Sequence, residues 1–195
     1  MADDKLVLHP QSPWAILHDP ALLLDALRSR GLIGGSFCWY GENHCAPGPC
    51  FEELVLFRRF AEPEGRELHI SLSETAEDPA FLGATYAQPP RCPACRGNVS
   101  DWRAQLLAWR RENHRRTWTC PRCGRGVEVH RLDWTHTGGI ARYSLDIWGI
   151  RQGAAIPSAE LLALLERITL EPWNYFYYRL GTDPTCRVQS RVQPS

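Results

Sequence analysis

Lysine is almost missing from this chain. Lys5 is the only one, against 21 arginines, and methionine occurs once. A skew of that size points to the codon usage of a GC-rich, bacterial genome rather than to any physical need. No apolar run approaches the roughly 20 residues that span a bilayer, which argues against a membrane helix. Net charge is absent too, since 22 basic residues meet 22 acidic ones, so the chain as a whole offers nothing to a polyanion. The catalytic signatures H-E-x-x-H, G-x-S-x-G, the Walker loop and G-x-G-x-x-G are all missing. The glycines of Gly31–Gly35 follow a helical pattern, the wrong context for a phosphate loop. The opening Met1-Ala2-Asp3-Asp4-Lys5 lacks the basic and apolar stretches of a secretory signal. The expected compartment is the cytoplasm, where cysteines stay reduced and suit metal better than disulfides.

With 195 residues, 44% of them hydrophobic, the chain can build a packed core. Asp19 and Pro20 open a helix whose apolar side is Leu22, Leu23, Ala26 and Leu27, and Gly31 closes it. The turn-rich stretch 41–50 separates Phe37-Cys38-Trp39-Tyr40 from a buried-strand pattern at Leu54–Phe57. Leu68, Ile70 and Leu72 alternate with polar residues, as do Ala141, Tyr143, Leu145 and Ile147, which predicts two further strands. Ser158 caps a second helix carrying Leu161, Leu164, Leu165 and Ile168, Pro172 follows it, and Trp173–Tyr178 is β-prone. Strand, helix and strand thus recur near 14–40 and 140–180. The expected fold is α+β: an antiparallel or mixed sheet with two main helices, forming one domain over 1–180. A cysteine unit is inserted at 91–131, and a polar, partly disordered tail at 181–195 contains Cys186.

That unit carries the strongest signal. Cys92-Pro93-Ala94-Cys95 and Cys120-Pro121-Arg122-Cys123 are two C-P-x-C turns, each with a glycine within two residues. Two cysteines three apart on a tight turn can aim both sulfurs at one ion, and the glycine lets the backbone turn beneath it. Two such turns give a tetrahedral S₄ set, which suits one structural Zn²⁺ and leaves no position for a reactive water. A pair of redox C-x-x-C motifs is the competing reading, but one motif at a helix start serves that chemistry. The stretch resembles the zinc-ribbon or zinc-knuckle class over residues 91–131. In particular, Trp118–Gly124 followed by Val127-Glu128-Val129 looks like its strand–knuckle–strand hairpin. Between the knuckles, Trp102, Leu106, Leu107 and Arg110 predict a helix where simple ribbons place strands.

Charge is unevenly spread. Residues 91–131 hold ten of the basic residues and three of the acidic ones, Asp101, Glu112 and Glu128, for a net of +7, which leaves the remainder at −7. Arg103, Arg110, Arg111 and Arg115 are the candidate partner-binding residues, expected along one side of the helix. Alternatively, the acidic residues Glu52, Glu53, Glu62, Glu64 or Glu67 fold against them. Trp102, Trp109 and Trp118 lie among the arginines, either as the buried stripe of the helix or as a stacking surface. Cys38, His44, Cys45 and Cys50 form a possible second metal group, although their spacing fits no compact knuckle. His130, Asp133 and His136 read as ordinary polar positions, since on a strand the two histidines would face away from the aspartate. The expected function is a non-enzymatic zinc-binding protein that displays a basic surface to a protein partner. The alternatives are a nucleic-acid-binding or regulatory protein using the same surface, and an enzyme with its site in the α+β body near Cys38–Cys50.

Overall fold

The computed structural model describes residues 4–58, 68–84 and 87–179. Among these residues the fold is α+β, with four α-helices and antiparallel sheets. Its centre is a six-stranded sheet built from β1 (Asp4–Pro10), β2 (Ile33–Trp39), β3 (Glu42–Pro47), β5 (His69–Leu72), β10 (Leu145–Trp148) and β12 (Trp173–Arg179). Their order is β12-β1-β10-β5-β3-β2, and every neighbouring pair is antiparallel. A side sheet pairs β4 (Val55–Phe57) with β11 (Ala155–Pro157).

Alternation along the strands sorts the two faces. Leu6, Leu8, Ile70, Leu145 and Ile147 belong to one hydrophobic cluster, together with Leu23 and Leu27 of α1 (Pro20–Ser29) and Leu161, Leu164 and Leu165 of α4 (Ala159–Thr169). Asp19 accepts from the Leu22 amide and Ser158 from the Leu161 amide, so both helices start where their caps predict. The opposite face carries Lys5, Asp146, His69 and Trp148, cross-strand neighbours by register. The single lysine forms an ion pair with Asp146, and its ammonium lies 4.4 Å from the Trp148 ring centroid.

A second cluster gathers Trp102, Leu106 and Trp109 of α3 (Trp102–Arg111) with Trp118, Val127, Val129, Leu132, Trp134 and Ile140. The chain leaves for it and returns through a two-stranded neck, β6 (Ala80–Phe81) against β9 (Ile140–Ala141). It therefore reaches beyond 91–131 in both directions, because Ala87, Leu132, Trp134 and Ile140 are needed to close it. A short 3₁₀ turn, Val129–Arg131, and an irregular segment make the return path.

Several expectations change. No strand precedes α1 at residues 14–18; the strand is β1, which lies between β12 and β10 in the sheet. The stretch 41–50 is mostly strand β3, because only Tyr40 and Gly41, both at positive φ, are needed to turn the β2–β3 hairpin. Residues 51–54 form a helical turn, α2 (Phe51–Leu54), so the expected strand shrinks to β4. The 141–148 strand is broken at 142–144, with Ala141 in the neck and Leu145 in the main sheet. Residues 181–195, with Cys186, lie outside the described residues.

Candidate metal centre

The two knuckles are closed in the same way. Arg91 bridges Asn98 across the first and Thr119 pairs with Gly126 across the second, at equal separation. In each, the first cysteine's carbonyl accepts from the residue four ahead, Arg96 at 2.9 Å and Gly124 at 2.8 Å. Its amide donates five ahead, to Gly97 at 2.8 Å and Arg125 at 2.9 Å. Both turns need a left-handed residue at the same place. Gly124 takes it with φ of 70° at no steric cost, whereas in the first knuckle Arg96 takes it with φ of 61°. Gly97 serves a different purpose: a Cβ there would sit 3.2 Å from Arg122 Cδ and 3.4 Å from Cys95 Sγ. The second knuckle's Arg122 thus lies across the first.

The second knuckle is carried by the hairpin of β7 (Thr117–Thr119) and β8 (Gly126–Glu128). The first is held by the return segment. The Arg91 amide donates to the Asp133 carbonyl at 2.7 Å and the Asp133 amide to the Arg91 carbonyl at 2.9 Å, while Arg96 pairs with the Asp133 carboxylate. Asp133, which read as an ordinary polar position, therefore anchors one half of the site.

All four sulfurs lie within 4.8 Å of one another, with Cys92 to Cys123 at 3.9 Å and Cys95 to Cys120 at 3.6 Å. A tetrahedral ion with metal–sulfur bonds of about 2.3 Å needs sulfurs about 3.8 Å apart. The set can therefore hold a metal ion, and it matches a zinc-binding knuckle motif. Burial opposes ionisation of Cys120, yet the amides of Cys123 and Arg122 and the neighbouring thiols bring its pKa down to about 7. At Cys123 the Arg125 amide favours the thiolate, but burial and the thiols of Cys120, Cys95 and Cys92 together push it up to about 11. One thiolate forms readily and the next resists it, an imbalance that a bound dication relieves.

No second group of this kind exists among the described residues. Cys45 belongs to the core on the helix side, and the neighbouring His44 points to the opposite face among the rings of Phe37, His69 and Trp148. Cys38 is exposed near the hairpin end, and Cys50 packs under Gly31. Strand alternation sets His44 on the face opposite Cys38 and Cys45, and Cys50 lies beyond the end of β3, so the four do not converge.

The arginines are placed as follows. Arg103, Arg110, Arg111 and Arg115 are exposed, and Arg103 stacks 4.2 Å from the Trp102 ring centroid. The helix ends at Arg111 and the chain turns through Asn113 and His114, both at positive φ, so Arg115 does not continue its side. Arg116 is held by Glu112 and Gln105. Glu52 and Glu53 are exposed on α2 and form no ion pair with α3, while Glu62, Glu64 and Glu67 lie outside the described residues. Trp102, Trp109 and Trp118 are buried, which removes them as a stacking surface.

The residues 130–136 are not a strand, and His130, Asp133 and His136 line one open cleft of about 790 Å³ with His9, Trp14 and Tyr175. Here the two clusters meet. The Tyr177 amide donates to the His136 carbonyl at 3.0 Å, His136 Nδ1 lies 2.9 Å from the Tyr175 carbonyl, and the two rings stack at 4.5 Å. Thr135 and His136 both take positive φ to make this contact. No sequence signal marks it, since neither residue is glycine and the partners are distant in the chain. Gly139 is legible only in hindsight: a Cβ there would sit 2.3 Å from His9 Nε2.

Burial disfavours the charged form of His9 and, against the Pro10 carbonyl beside its Nδ1, lowers its pKa from 6.5 to about 4. The unfolded chain takes up this proton at the ordinary value and the folded chain does not. Stability is therefore whole above pH 6.5 and falls by up to about 3 kcal/mol as the pH drops towards 4. Denaturant midpoints across that range should show a shallower acid limb in His9→Gln, because any acid effect at the four cysteines is common to both chains.

No protein-family model, curated protein or solved structure matches this chain.

Proposed function

We propose that Cys92, Cys95, Cys120 and Cys123 bind one structural Zn²⁺, and that the zinc-ribbon-like unit around it displays an arginine-rich surface to a protein partner. The observation that carries this reading is the convergence of four sulfurs within 4.8 Å from two matched knuckles. Four thiolates favour Zn²⁺ and close its coordination sphere, so the role is structural. Four thiolates around a dication leave a net charge of about −2, which nearby arginines such as Arg122 offset.

On α3, the exposed face presents Arg103, Arg110 and Arg111 around Leu107, which is 56% exposed. Arginines framing a bare leucine suit a protein interface, where arginine is enriched and an apolar centre is covered. A nucleic acid would use the arginines but gain little from Leu107. The reading of a catalytic site near Cys38–Cys50 gains no support, because those side chains do not converge.

The test is the triple change Arg103→Ser, Arg110→Ser and Arg111→Ser in the full chain. Partner capture by pull-down should be lost, while zinc content and melting temperature stay near those of the parent. Generic DNA or RNA binding that the triple change abolishes, with a steep salt dependence, would move the assignment to nucleic acid. A large fall in stability with no loss of binding would show that these arginines serve the fold.

A further inference from the structure

The two edges of the six-stranded sheet are treated differently. Along β12, His136 occupies the outer edge through its bonds to Tyr175 and Tyr177. At the other edge, β2 has no such cover among the described residues. The Tyr40-Gly41 turn has φ of 49° and 88°, the two-residue hairpin type in which the closing pair, here Trp39 and Glu42, exchanges both hydrogen bonds. Bonding alternates along the strand, so Phe37 and Trp39 spend their backbone groups on β3. Those of Ser36 and Cys38 point outward, and no described residue hydrogen-bonds to them. Natural edges are usually blunted by charge or proline. The sequence of β2, Ile-Gly-Gly-Ser-Phe-Cys-Trp, has neither, and the register shift against β3 is confined to the stretch between Ile33 and Ser36, which leaves Ser36–Trp39 regular.

We propose that β2 pairs antiparallel with β2 of a second copy of this chain across a two-fold axis, with Phe37 opposite Phe37. In that register Ser36 of each copy faces Cys38 of the other, so the outward amides and carbonyls satisfy one another. Trp39 comes opposite Gly35, twice, and an aromatic ring over a strand glycine is a favourable cross-strand pair. The strand carries no charge, so two copies meet without like-charge repulsion, and a large residue meets a small one on both sides of the axis. Phe37 is 38% exposed, leaving apolar surface beside the strand for the same contact. The contact is isologous, and His136 covers the far edge, so assembly stops at two.

Sedimentation equilibrium of the full chain with its native metal should give twice the chain mass, falling towards the single-chain mass only on dilution. Phe37→Lys sets two ammonium groups opposite one another, and Cys38→Pro removes an outward N–H that β3 does not use. Both should sediment as single chains with unchanged metal content. The double change Phe37→Cys and Cys38→Ser should cross-link across the axis under mild oxidation. A wild-type chain that stays single at every concentration would overturn the proposal, as would dimers that survive both single changes. A dimer of the double variant that fails to cross-link would overturn the register.

Discussion

Cys92→Ser or Cys120→Ser is expected to collapse the second cluster and leave the first standing. Both cysteines are buried, and a serine hydroxyl is a poor ligand for a dication that favours thiolate. Structural zinc contributes about 10 kcal/mol or more to the folding of a small unit, so the loss of one ligand exceeds what the packing of Trp102, Trp109, Trp118 and Trp134 can replace. Hydrogen exchange should lose protection across 91–134, while β1, β10 and α4 keep theirs. The near-ultraviolet signal of the four tryptophans should fade with it. Cys38→Ser, exposed and outside the site, should change neither. Retained protection at 91–134 in both buried-cysteine variants would mean that the cluster folds without its metal.

Trp109→Ala should cost about 3–5 kcal/mol, the usual range for removing a fully buried tryptophan. Trp109 is wholly inaccessible, and His114 packs edge-on against it at 4.3 Å. Its indole N–H is buried without a partner. Trp109→Phe should therefore cost much less than truncation, because it keeps most of the apolar contact and removes the unsatisfied donor. Chemical denaturation of the metal-bound protein gives both values. Equal losses for the two changes would show that the N–H has a role that the ring's volume does not explain.

What could be read ahead of the structure depended on how local the signal was. The convergence of the four cysteines was legible because a knuckle is a short loop that specifies its own geometry. Both α1 and α4 were legible for the same reason, since their caps and apolar stripes sit within one short segment. Strand β1 was not, because Leu6, Val7 and Leu8 are all buried and a continuous apolar run shows no period of two. The split at 142–144 was hidden too: the alternation from Ala141 to Ile147 is unbroken, and only the neck shows that two sheets share it. The cleft is the extreme case. His9, His130 and His136 come together through the neck and the return segment, and the left-handed backbone at Thr135 and His136 is set by contact with β12.

Whether the four cysteines hold one zinc ion is tested most directly by metal analysis of the purified protein, paired with X-ray absorption at the zinc edge. The expected result is one zinc per chain, surrounded by four sulfurs at about 2.3 Å, with Cys92, Cys95, Cys120 and Cys123 resistant to alkylation until the metal is chelated. A fully folded, metal-free protein in which those four thiols alkylate readily would contradict it.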